Sequence, residues 1–290
     1  KNERPLFETK ASVDDNGLDS YTSYDAQSGN YYLWLVQRGM FDYNLKIDLS
    51  GLDIAAGVPV TAETVSGSSY GEVTNLLMLP QNNIFDFKLS PQSVVLLTIP
   101  REKLKQQVIS AFAAATVTGG KYAGINNSLK NELTVQLDAA EPNKNNVTYI
   151  GFNNANGELN NPKKVLLKVN GYTDKTGNLY RLHVYGIPSE KWDEQKLNWN
   201  NAPLLDKNEA LINEVGQKAF VAGELAFTNQ QQDHMLDVTD LVKKHAGNGI
   251  TFVLVRETRQ LGDDEDKGKK VMIGSLETNH KPELIFWNRN

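Results

Sequence analysis

The sequence predicts an all-β chain built as two antiparallel β-sandwiches in tandem, jelly-roll-like in character. Three observations lead there. Short runs rich in β-branched and aromatic residues recur along the 290 residues, at 31–37, 44–49, 94–99, 165–169, 179–185, 251–256 and 283–287. Clusters of Gly, Asn, Asp and Pro separate these runs, as turns separate strands. Several runs also alternate apolar with polar residues, the period that an antiparallel sheet shows when only one of its faces is buried.

Taken in order, Asn44-Leu45-Lys46-Ile47-Asp48-Leu49 alternates without a miss. Ser93-Val94-Val95-Leu96-Leu97-Thr98-Ile99-Pro100 reads as the closing strand of a first small sandwich. The stretch 101–112 carries Leu104, Val108, Ile109 and Phe112 at helical spacing and predicts a short helix. A second set of strands opens at Thr116, with 132–138 and 147–153 next. In Arg181-Leu182-His183-Val184-Tyr185, Leu182 and Val184 share one face and Arg181, His183 and Tyr185 the other. A second short helix is predicted at 238–245, capped by Asp237 or Thr239 and closed at Gly247 or Gly249. The expected organisation is a first sandwich at 1–104, a connector at 105–115 and a second sandwich at 116–290.

Composition narrows the function. The formal net charge of −5, from 30 basic and 35 acidic groups, gives no electrostatic reason to expect nucleic acid. No apolar run approaches the roughly 18 residues of a membrane span. The start, Lys1-Asn2-Glu3-Arg4, lacks the pattern of a signal peptide, and the absence of an initiating Met points to a processed chain or an excised fragment. Zero cysteines remove disulfides, thiol catalysis and thiolate metal sites, and leave the compartment open.

Catalytic signatures are sparse. The four histidines, His183, His234, His245 and His280, include no pair at the spacing of a zinc hydrolase, and no nucleophile elbow or phosphate-cradling loop is present. Gly67-Ser68-Ser69-Tyr70-Gly71 reads as a surface turn. Carboxylates are numerous enough for a glycosidase pair, whose separation a sequence does not display. The run Asp263-Asp264-Glu265-Asp266 offers oxygen ligands for a structural calcium ion, while the lysines that follow favour a solvated loop. No other cofactor is called for. Arg181, His183 and Tyr185 on one strand face supply the ingredients of a uronate lyase.

The most specific segment is Trp192-Asp193-Glu194-Gln195-Lys196-Leu197-Asn198-Trp199-Asn200-Asn201-Ala202-Pro203. Downstream come Leu236-Asp237-Val238-Thr239, then Gly249-Ile250-Thr251-Phe252, Ser275-Leu276-Glu277 and Pro282-Glu283-Leu284. This ordered set resembles the DNRLRE-type β-sandwich and its relatives, the family-96 carbohydrate-binding modules, over about 116–287. Asn198 departs from the family's usual Thr. Gln136 and Asn146 stand where alginate-binding members often carry basic residues. The two tryptophans either stack on sugar rings or pin a corner to the core, and the second role is favoured. The first sandwich carries Tyr70-Gly71-Glu72-Val73, Phe85-Asp86-Phe87-Lys88-Leu89 and Ser90-Pro91-Gln92-Ser93-Val94-Val95-Leu96-Leu97. By these residues it is similar to the sandwich that follows the catalytic barrel in glycoside hydrolases such as the family-86 β-agarases.

These resemblances imply the non-catalytic C-terminal region of a secreted or cell-surface bacterial enzyme that degrades polysaccharide. The implied partners are an agar-type galactan, or else alginate, and the chain's own catalytic domain in cis, with no nucleic acid and no membrane. A lyase or hydrolase with its own site, and a structural spacer without ligand, are the rival readings. Candidate sugar contacts on the polar strand faces are Lys121, Tyr122, Asn126, Lys130, Tyr149, Lys168, Arg181 and Tyr185, since Lys and Arg donate to hydroxyls and acids and Tyr offers a ring with a polar tip.

Overall fold

The structure is a computed structural model, and it describes residues 6–7, 17–67, 70–127, 132–138, 144–154, 157–174, 179–188, 192–256 and 270–289. It is all-β and antiparallel apart from one helix and one 3-10 turn among the described residues. Two compact units divide it: Lys1–Gln106 with Trp287–Asn290, and Gln107–Phe286.

The first unit holds strands β1 (Leu6–Phe7), β2 (Leu18–Asp25), β3 (Asn30–Gln37), β4 (Tyr43–Asp48), β5 (Pro59–Val65), β6 (Tyr70–Met78), β7 (Ile84–Leu89) and β8 (Ser93–Pro100). They form one sheet in the order β1-β2-β3-β8-β5-β6, faced by the pair β4-β7. Alternation decides which side chains meet between the sheets. Leu33 and Leu35 of β3, Val95 and Leu97 of β8, and Phe85 and Phe87 of β7 join one core. The expected strands at 31–37, 44–49 and 94–99 are β3, β4 and β8.

Strand β9 (Leu104–Ser110) spans the boundary at which the second unit begins, and it stands where the sequence pattern predicts a helix. Only Leu104 of the expected apolar stripe is buried, and Val108 is 49% exposed. Pairing with β21 (Glu283–Arg289) satisfies the β9 backbone instead, so a sheet edge overrides a weak helical spacing. Next come β10 (Ala113–Thr118), the 3-10 turn Gly120–Tyr122, β11 (Glu132–Val135), β12 (Asn146–Asn153), β13 (Lys164–Thr173) and β14 (Tyr180–Pro188). After them follow β15 (Leu205–Asp206), β16 (Leu211–Ile212), β17 (Phe220–Phe227), β18 (Gln232–Asp237), α1 (Thr239–His245), β19 (Gly249–Val255) and β20 (Val271–Gly274).

One sheet runs β10-β12-β19-β14-β17. The other runs β18-β13-β20-β11, with β21 also beside β13. Phe152, Leu182 and Phe252 of the first sheet meet Leu167, Val169 and Phe286 of the second in the main core. The helix at 239–245 lies where the sequence places it. Its N-cap is Val238, without a side-chain cap, and Asp237 instead accepts the N–H and hydroxyl of Thr239 at 2.9 and 2.5 Å.

The outer face of the five-stranded sheet departs from a two-layer expectation. The segment 192–219 packs across it, building a further core from Tyr149, Val253 and Tyr185 of the sheet with Leu197, Trp199 and Leu205 of the segment. Every residue of β19 is buried as a result. The continuous apolar run Phe252-Val253-Leu254-Val255 is the sequence counterpart of a strand covered on both sides.

Candidate functional site

Several hydrogen bonds hold the covering segment. Trp192 donates from Nε1 to Thr251 Oγ1 at 2.9 Å. Glu194 accepts the Ala114 N–H at 3.1 Å, and burial pushes its carboxyl above the ordinary range, a rise that the Ala114 bond opposes and the nearby Glu277 reinforces. Asn126 donates at 2.7 Å to each of the Glu194 and Leu197 carbonyls. Tyr149, wholly buried, donates its hydroxyl to the Pro203 carbonyl at 2.9 Å, and burial drives its pKa far upward.

Between these anchors lies an open depression of ≈ 380 Å³. Half-buried Trp192 forms one side, and Leu197, Pro203 and Leu204 supply apolar surface. The polar groups are Asp193, Lys196 and Asn201. Asp193 and Lys196 pair at 2.9 Å. That hydrogen bond, joined by the Gln195 N–H, lowers the Asp193 pKa, and Asp193 in turn raises that of Lys196. The depression therefore contains both signs of charge and no surplus of either. Asn201 accepts the Asn198 N–H at 2.8 Å and donates to the Lys196 carbonyl at 2.9 Å, which leaves it one N–H and one lone pair. Leu204 holds φ of 54°, a left-handed conformation that a bulky side chain takes at a cost of about 1–2 kcal/mol. Its carbonyl accepts the Asn213 N–H at 2.7 Å. An aromatic wall, apolar floor and few fixed polar groups suit a ligand with apolar ring faces and a hydroxyl rim.

The sequence-predicted candidates fall into distinct places. Tyr149 and Asn126 lie behind the depression and position its walls. Tyr185, 7% exposed, belongs to the same covered core. The physical reason is the segment 192–219: a strand face that alternation marks as outward is roofed over. Lys121 and Tyr122 are exposed in the 3-10 turn, with the Lys121 ammonium 5.0 Å from the Tyr122 ring centroid. Ala123, directly after them, accepts the Asn200 N–H at 3.3 Å. Lys168 lies on the other sheet and pairs with Glu283 at 3.0 Å and Asp233 at 3.5 Å. Partial burial works against its charge, and these two carboxylates outweigh that and raise its pKa. Arg181 is partly exposed on β14. Lys130 and the carboxylates of 263–266 lie outside the described residues.

Of the lyase constellation, Arg181 and His183 are partly exposed on β14, and the His183 ring stacks on Tyr185 at 6.5 Å between centroids. His183 stands 3.6 Å from Glu224, and Tyr185 is under the covering segment. Among the described residues no group of three or more His, Asp or Glu is placed to hold a metal ion. Gln136 and Asn146, at positions where alginate binders often carry bases, are buried and bond each other at 3.3 Å. Of the two tryptophans, Trp199 is 4% exposed and pins the corner, whereas Trp192 lines the depression. The pairing of Asp193 with Lys196 three residues on, beside that Trp, was the available signal for the site.

The model of carbohydrate-binding module family 96 matches residues 105–286, more than half of the chain. The chain belongs to carbohydrate-binding module family 96. It is thus a carbohydrate-binding module over that span, and the depression lies within it. No curated protein matches the sequence. Among solved structures, one similar chain is a β-porphyranase of glycoside hydrolase family 86 from the human gut bacterium Bacteroides plebeius, at 9% identity and a TM-score of 0.30, covering 96% of this chain and 38% of that one. Another is BuGH86 in complex with neoagarooctaose, at 12% identity and a TM-score of 0.27, covering 95% and 34%. A third is the tandem CBM22 pair of Paenibacillus barcinonensis Xyn10C, at 9% identity and a TM-score of 0.27, covering 94% and 92%. The chain spans little more than a third of the length of the two family-86 proteins.

Proposed function

We propose that this family-96 module binds an agar-type galactan in the Trp192 depression, as the non-catalytic region of a secreted bacterial polysaccharide-degrading enzyme. The observation that carries the reading is the depression itself: a half-buried Trp beside a self-neutralised Asp193–Lys196 pair, within the span that matches the family. A polyuronate such as alginate needs unpaired cations along its path, and here the one Lys in the depression is already partnered. Neutral galactan is therefore placed first and alginate second. Binding would hold a tethered catalytic domain near its substrate, a gain in effective concentration that weak affinity suffices to provide. The first unit would stiffen and shield that domain, in keeping with the likeness of the segments around 70–97 to sandwiches that follow glycosidase barrels.

Affinity electrophoresis of the intact chain in gels cast with agarose, porphyran, alginate and carrageenan tests this, together with a reducing-sugar assay. Retardation in agarose, lost in Trp192→Ala and unaccompanied by new reducing ends, is the expected result. No retardation on any gel removes the binding role and leaves a spacer. Released sugar would mean an active site elsewhere on the chain.

A further inference from the structure

We propose that Phe112 is a second sugar-stacking contact beside Trp192, so that the site takes an internal, helically twisted stretch of polysaccharide rather than a chain end or a flat ribbon. This rests on the reading of the Trp192 depression as a glycan site. Phe112 is 42% exposed and belongs to none of the three cores. Its place is nevertheless defined. The Phe112 N–H donates to the Gly151 carbonyl at 2.9 Å, and its ring lies over Gly151 on the same outer sheet face as Trp192.

Gly151 explains how both rings fit. It is not among the positive-φ glycines, so its backbone does not demand a glycine. What is needed is space: a Cβ there would stand 2.8 Å from Phe112 Cε1 and 3.4 Å from Trp192 Cζ2. A bare patch of strand thus forms the floor for two aromatic rings, one of them left in water. Exposing such a ring on a rigid sheet forgoes hydrophobic stabilisation, which a ligand restores by covering it.

The two centroids are 6.4 Å apart and the ring planes 41° apart. Sugar rings lie flat against aromatic faces, so neighbouring sugars held by this pair must be turned relative to one another by about that angle. A flat ribbon keeps successive rings coplanar and fits only one of the two. A helical chain fits both.

The test is calorimetric titration of the intact chain with agaro- and alginate-oligosaccharides of two, four and six sugars, and with cellohexaose. Wild type is compared with Phe112→Ala, Phe112→Leu and Trp192→Ala. Phe112→Leu keeps apolar volume without a ring, so it separates stacking from folding. The expected result is about a tenfold loss for the hexasaccharide in both Phe112 variants, the size of one stacking contact, with disaccharide affinity and melting temperature unchanged. Cellohexaose should bind wild type at least about tenfold more weakly than the preferred hexasaccharide. Hexasaccharide affinity equal to wild type in the Phe112 variants, alongside loss in Trp192→Ala, overturns the second contact and leaves the depression standing. Equal affinity for cellohexaose overturns the twisted-chain requirement. Wild type that binds none of the oligosaccharides overturns the inference and the reading beneath it.

Discussion

Replacing Tyr149 by Phe removes one oxygen from a wholly buried side chain and nothing else. That oxygen donates to the Pro203 carbonyl at 2.9 Å, one of the hydrogen bonds holding the covering segment over the five-stranded sheet. The ring contacts persist, including the edge-on approach to Trp192 at 6.3 Å between centroids. The loss is therefore one hydrogen bond plus a partly buried carbonyl left unsatisfied, about 1–2 kcal/mol. For a unit of this size that corresponds to a fall in melting temperature of about 2–8 °C, measurable by scanning calorimetry. Glycan affinity should fall only modestly, since Pro203 and Leu204 loosen while Trp192 stays pinned to Thr251. An unchanged melting temperature would refute the anchoring role. Binding abolished at an unchanged melting temperature would mean, further, that the hydroxyl meets the ligand itself.

Trp199→Ala empties a 4%-exposed aromatic from the outer core and should cost about 3–5 kcal/mol in chemical denaturation; a loss below about 1 kcal/mol would count against that core. Asp193→Ala frees Lys196 from its carboxylate, so mobility in alginate gels should drop relative to agarose with melting unchanged. The reverse order would contradict the charge argument. Asp237 tests acid stability. Burial alone would raise its pKa, but Lys164 at 2.5 Å and the Thr239 donors outweigh this and hold it below the ordinary range. Its contribution is thus complete above the unfolded value, about 3.9, and is lost as pH falls through the lower folded value. Wild type should weaken on acidification below about pH 4. Asp237→Asn should start about 3 kcal/mol lower, because buried Lys164 loses its carboxylate, and should weaken less. Parallel acid profiles would show that Asp237 does not carry the dependence.

Much of the strand pattern was legible because burial on a sheet repeats every second residue. Ile47 and Leu49, or Leu182 and Val184, announce an inward face by local sequence alone. The short helix at 239–245 was legible for a similar reason, through its acidic start and glycine-bounded end. The stretch 104–110 was not, because a few apolar residues at mixed spacing fit a helix and an edge strand equally. The partner β21, distant in sequence, settled the matter. The candidate sugar contacts failed to converge for the same kind of reason. Tyr149 and Tyr185 are outward on their strands, and nothing within those strands reports that residues 192–219 return to cover them.

By itself the sequence determined an all-β architecture and the presence of the family-96 motif set, since both are written in local periodicity and ordered residues. Only the tertiary structure decided that Trp199 is a peg and Trp192 a wall. It also turned Asn126 and Tyr149 into supports, and gave Phe112 a bare glycine to lie on. Periodicity says which way a side chain points from its own strand. What it meets there depends on segments that arrive from elsewhere in the chain.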